Sequence, residues 1–104
     1  MQIIYRNVER VILLDKNGNE FELPAESFTE YDDDVRITSP FRSTDLVRGW
    51  VGDLIYTTTD GIEMKSGDRA PAVEETLHDV LLKSVLLTAD RQNACDWEYV
   101  FLKK

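Results

Sequence analysis

The 104-residue chain holds one cysteine, one histidine, three prolines and five glycines, and each scarcity removes a class of chemistry. Cys95 and His78 alone cannot supply a Cys₂His₂ zinc site, a Cys₄ cluster or a disulfide framework within one chain. No apolar run approaches the roughly 20 residues of a membrane-spanning helix. The first residues also lack the basic-then-apolar order of a secretory leader. Gly18, Gly49, Gly52, Gly61 and Gly67 match neither a phosphate-cradling loop nor a dinucleotide fingerprint, so no cofactor is expected. Bases are scarce too, with 12 Lys and Arg against 20 Asp and Glu and a net charge of −8. Without a basic stripe, neither nucleic-acid phosphates nor an anionic membrane surface is an expected partner. A single thiol suits a reducing compartment, and the expected location is cytoplasmic.

What is present suffices for one core. Hydrophobic residues make up 42% of the chain and aromatics 10%, which sets the expectation of a single compact domain spanning 1–104. The acidic excess is uneven. Residues 1–40 carry nine acids and four bases, while residues 41–104 carry eleven acids and eight bases. Such a charge favours solubility first and a basic protein partner second.

The first forty residues read as strands. Gln2–Tyr5 and Val8–Leu14 are rich in β-branched and aromatic side chains, and Phe21 and Leu23 flank a charge. Asn17-Gly18 between two such runs predicts a hairpin with a type I′ turn. Pro24 ends the second strand or confines it to an edge. Residues 25–34 read as a loop or a single turn, because acids at the end of a helix would oppose its dipole. Val35–Thr38 and Leu54–Thr58 read as strands, and Asp60-Gly61 before Ile62–Met64 predicts a second hairpin. Residues 65–70 read as a loop.

One amphipathic helix is expected near 71–82. Pro71 suits its first turn, Glu74 and Glu75 suit its positive end, and Val73, Leu77, Val80 and Leu81 share one face. Residues 43–53 and 83–89 fit either helix or strand, since short apolar runs do not decide between them. Trp97–Leu102 reads as a C-terminal strand with three aromatics on one side. The expected fold class is therefore α+β, mostly antiparallel β.

Candidate sites are weak. Asp15, Asn17, Asn19 and Glu26 occupy oxygen-ligand positions of a calcium loop, but Glu20 stands where that loop needs glycine and Phe21–Leu23 reads as strand. A plain hairpin turn is the stronger reading. Glu30, Asp32, Asp33 and Asp34 could face a hard cation or a basic partner, and a solvated acidic loop is the commoner arrangement. His78 has no recognisable nucleophile motif to serve, and Cys95 has acids beside it that would raise a thiol pKa. No catalytic or metal residue is assigned. Trp97, Tyr99 and Phe101 are the remaining partner-contact candidates, because a strand apolar on both faces is covered either by its own domain or by another chain.

By subtraction, the expectation is a non-enzymatic protein-interaction or assembly module, with homo-oligomerisation left open. Two alternatives stand beside it. One is an acidic inhibitor blocking a basic, nucleic-acid-binding surface of a target. The other is a small enzyme using carboxylates, with or without a metal.

Overall fold

Antiparallel pairing accounts for every regular element in the computed structural model, which describes residues 4–5, 7–58, 73–88 and 96–104. The strands are β1 (Ile4–Tyr5), β2 (Val8–Asp15), β3 (Glu20–Glu22), β4 (Ser27–Glu30), β5 (Asp34–Ser39), β6 (Val51–Thr58), β7 (Val73–Leu87) and β8 (Trp97–Leu102). Their order in the sheet is β1-β4-β5-β8-β7-β6-β2-β3.

That order hides a closure. Ile4 lies opposite Glu30 and Tyr5 opposite Thr29, while Ile12 lies opposite Glu22 and Leu14 opposite Glu20. Each pair of residue numbers has the same sum, and Leu23 N–H bonding to Val11 C=O keeps that register between the two ladders. β1 and β2 thus lie along one side of a hairpin, and β3–β4, a long bent strand, forms the other. The second bends at Pro24, which has no N–H for the ladder. Because β1 pairs with β4 and β2 pairs with β6, the sheet curls round and joins itself as a six-membered antiparallel barrel. The Phe28 and Tyr56 rings, from β4 and β6, meet across its inside at 4.8 Å.

Alternation fills that inside. Val11, Leu13, Phe28, Val35, Ile37, Leu54, Tyr56, Val80, Leu82, Tyr99 and Phe101 form one buried cluster, with Leu23 and Leu46 from the connections. Charged residues such as Glu9, Arg10, Glu74 and Lys83 face outward.

The Asn17-Gly18 hairpin is present, but its turn differs from the type I′ expectation. Four residues, 16–19, connect β2 to β3, and only Gly18 of that pair has a positive φ, 85°. The Asp15 carboxylate organises the loop by accepting the N–H groups of Asn17 and Asn19 and the Asn19 side-chain amide. Those bonds, the Asn19 N–H foremost, hold the Asp15 pKa below its ordinary value. The predicted strands at 35–38, 54–58 and 97–102 are also present. Residues 27–30 form β4, where a loop was expected. Residues 43–50 are irregular and β6 starts at Val51. Gly52 lies under the Trp50 indole, where a Cβ would overlap both that ring and Leu14 C=O. The Asp60-Gly61 hairpin, the 65–70 loop and Cys95 lie outside the described residues.

The expected helix near 71–82 is overturned, and with it the α+β class: no helix occurs among the described residues, and 73–87 form β7. Two β-bulges explain the misreading. Opposite Asp53 of β6 stand two residues, His78 and Asp79, and against β8 an extra residue, Lys83, falls between the Leu82 and Ser84 pairs. Each bulge turns a step of two into a step of three. The inward residues of β7 are consequently Leu77, Val80, Leu82 and Val85, a spacing that imitates one face of a helix. Val73 and Leu81, which the helix would have buried, are exposed. Hydrogen bonding to β6 along one half and to β8 along the other outweighs local propensity.

Candidate binding groove

β7 changes partner along its length. Its first half pairs with β6 and its second half with β8, and the two pairings overlap near Leu81 and Leu82. On the β6 side the ladder ends where Leu82 N–H bonds to Trp50 C=O and Gly49 N–H bonds to Leu82 C=O. Gly49 makes that last contact with φ 96°, a conformation natural to glycine.

Beyond Leu82 the strand has an edge that is open among the described residues. Thr88 N–H bonds to Asp96 C=O, so Thr88, Leu86 and Ser84 turn their backbone groups toward β8. Antiparallel geometry then turns the N–H and C=O of Val85 and Leu87 to the opposite side. No strand of the described residues pairs with them there.

A groove of about 420 Å³ runs along that edge, lined by Arg42, Arg48, Lys83, Ser84, Val85 and Leu86. Three of its six lining residues are bases and none is an acid, in a chain with net charge −8. Glu98 is opposite Leu86 on β8, across the strand from the open edge. Arg48 and Lys83 are exposed and make no ion pair among the described residues. Leu86 and Leu87 are 58% and 56% exposed, and Phe41 and Val47 are exposed in the loop opposite.

That loop is firmly held. The buried Tyr99 hydroxyl donates to Phe41 C=O at 2.7 Å and accepts from Ser43 N–H at 3.0 Å. Arg42 stacks over Trp97, 5.6 Å from the ring centroid, and donates to the carbonyls of Ser43 and Leu46. Leu46 is fully buried. The groove wall is therefore held in place by side chains from β8, and its shape does not wait for a ligand.

The sequence-derived candidates fall in separate places. Glu30 pairs with Lys103 at 2.6 Å, and Asp34 has Arg36 Nε at 3.5 Å with the Arg36 guanidinium over the Tyr31 ring. Asp32 and Asp33 are the exposed tip of the β4–β5 hairpin, closed by Tyr31 N–H on Asp34 C=O. Trp97 is half-buried beneath Arg42, and Tyr99 and Phe101 are wholly inside the barrel. Their own domain covers the inward face of the final strand. Sequence reading missed Arg42, Arg48 and Lys83, which are scattered over forty residues and meet only in the fold.

The other polar cluster lies at the first bulge. Asp53 accepts the Asp79 N–H at 3.1 Å and sits 3.3 Å from His78 Nδ1. Asp79 has a φ of 55°, a left-handed conformation that Asp tolerates better than most residues. Its carboxylate meets Lys16 and Lys104, which lower its pKa, Lys16 more strongly, and the carboxylate raises the pKa of Lys16 in return. The adjoining depression is lined by Leu14, Asp15, Lys16, Gly52, Asp53, His78 and Asp79, with no hydroxyl or thiol nucleophile. No helix among the described residues is long and apolar enough to cross a membrane.

Among the described residues, these features define the class of an all-β antiparallel barrel with a basic groove along an open strand edge. Comparison with protein-family models, curated proteins and solved structures finds no match for the chain.

Proposed function

We propose that this chain is a non-enzymatic protein-binding or assembly module that meets its partner at the end of the barrel carrying the groove. One observation carries the reading: the backbone edge at Val85 and Leu87, unpaired among the described residues, lies beside exposed Leu86, Leu87, Phe41 and Val47. Open edges and clustered apolar side chains are what protein surfaces use to bind other chains, and natural monomers usually cover or charge them. The held loop opposite supports this, since a preformed wall lowers the ordering cost of binding. The groove's bases favour a partner segment that is acidic at this contact, in place of the basic partner that net charge alone suggests.

Crosslinking in cells that make the protein, with mass-spectrometric mapping, tests the reading. The expected result is one recurrent partner whose crosslinks converge on Lys83. A chain that stays monomeric and forms no recurrent crosslink, even at low salt, overturns it.

A further inference from the structure

Building on that binding reading, we infer that the groove takes an extended, acidic segment of a partner protein, which adds as a strand to the open edge of β7 at Ser84–Leu87. Val85 and Leu87 each present one N–H and one C=O on the side of β7 away from β8, alternating donor and acceptor along the edge. A peptide backbone supplies the complementary pattern. A phosphodiester backbone offers acceptors only and leaves both carbonyls without donors. This is the strand-addition mode of peptide recognition, in which backbone bonds give affinity and flanking side chains give selectivity.

Charge selects the occupant. Arg42, Arg48 and Lys83 line the groove with no acid among the lining residues. Two guanidiniums favour carboxylates, with which they form paired hydrogen bonds. A second copy of this chain is disfavoured at this edge, because twofold pairing of β7 with β7 would bring two sets of these bases together. Side chains of an added strand alternate between faces, so a segment alternating acidic and apolar residues serves both the bases and exposed Leu86. The bulge at Lys83 marks where the added strand must stop, since beyond it Leu82 is already bonded to Gly49 and Trp50.

The test uses the full chain and a short blocked peptide of alternating glutamate and valine, followed by amide NMR and hydrogen exchange. The Val85 and Leu87 amides should shift and become protected as peptide is added. The doubly charge-reversed variant Arg48→Glu with Lys83→Glu should bind about tenfold or more weakly, with the remaining amide spectrum unchanged. Methylating alternate backbone nitrogens of the peptide, or replacing its glutamates by lysines, should abolish the response.

Peptide binding that leaves Val85 and Leu87 unaffected overturns strand addition, as does a complete lack of binding at millimolar peptide. A single-stranded oligonucleotide that displaces the peptide and binds more tightly makes this a phosphate site. Concentration-dependent protection of Val85 and Leu87 without peptide makes it a self-association edge. Crosslinks that converge elsewhere on the barrel while the peptide fails would sink the groove as the contact and leave only the binding-module class standing. If both the crosslinking and the peptide fail, both readings fall.

Discussion

At His78–Asp79 the extra residue of β7 is drawn into the protein's own charges, whereas at Lys83 the extra residue is left facing a groove. Both bulges lie on one strand, four residues apart by their second members, and both shift the inward register by one. The first is enclosed by Asp53, Lys16 and Lys104, with the Asp79 N–H bonded to the Asp53 carboxylate. The second has Arg42 and Arg48 for company, so its lysine gains no opposite charge from within the groove. A bulge within a ladder can therefore be accommodated in two ways. One satisfies the displaced groups internally, and the other leaves an edge for something else to pair.

The largest effect expected concerns what lies between the bulges. Leu82 is fully buried, and its N–H and C=O are the last groups bonded on the β6 side. Leu82→Ala should cost about 2–5 kcal/mol in urea unfolding, through lost transfer energy and a cavity. Leu86→Ala, four residues on and 58% exposed, should stay within about 0.5 kcal/mol. Comparable losses at the two positions would mean that Leu86 is covered in the free protein, which would remove the open edge.

The same stretch shows why the sequence misled. Several strands were legible, among them 8–14, 35–38, 54–58 and 97–102, because β-branched and aromatic residues are concentrated in them. β7 was not legible, since its inward set of Leu77, Val80, Leu82 and Val85 has steps of three, two and three. Only the register against Asp53 and against Phe101 reveals those steps as bulges, and register is a long-range fact. The groove was hidden for a related reason. Arg42 and Arg48 come from a loop and Lys83 from a strand, and nothing local signals that Tyr99 pins the loop beside the strand. The acidic run at 30–34, conspicuous in sequence, has two of its members already paired within the chain.

A smaller effect is expected from loosening the groove wall without touching its bases. Tyr99→Phe keeps the ring within the core, 6.5 Å from the Phe101 centroid, and removes the hydroxyl that joins Phe41 C=O to Ser43 N–H. Leaving these groups without that partner should cost about 1–3 kcal/mol. Hydrogen exchange should quicken at Ser43 while the Asp79 bulge keeps its protection. An equal loss at both bulges would show that β7 responds as one unit and that the groove wall is not separately held.

The smallest effect belongs to the charged bulge and appears as pH dependence. Asp79 has its pKa lowered from 3.8, first by the hydrogen bond from Lys16 and then by that from Lys104. A carboxyl whose folded pKa is depressed contributes stability that is complete above its unfolded pKa, and that contribution is lost as pH falls through the folded value. The wild-type chain should therefore lose stability on acidification below about pH 4, and Asp79→Asn should flatten that part of the profile. Asn tolerates the left-handed conformation and keeps the backbone N–H for Asp53, so the bulge itself should survive. At neutral pH the substitution should change stability only slightly, because solvent screens ion pairs as exposed as that between Lys16 and Asp79. Peptide binding at the Lys83 bulge should be untouched. Its loss in the Asp79→Asn variant would show that the enclosed bulge sets the geometry of the open one, and the two would then be a single device.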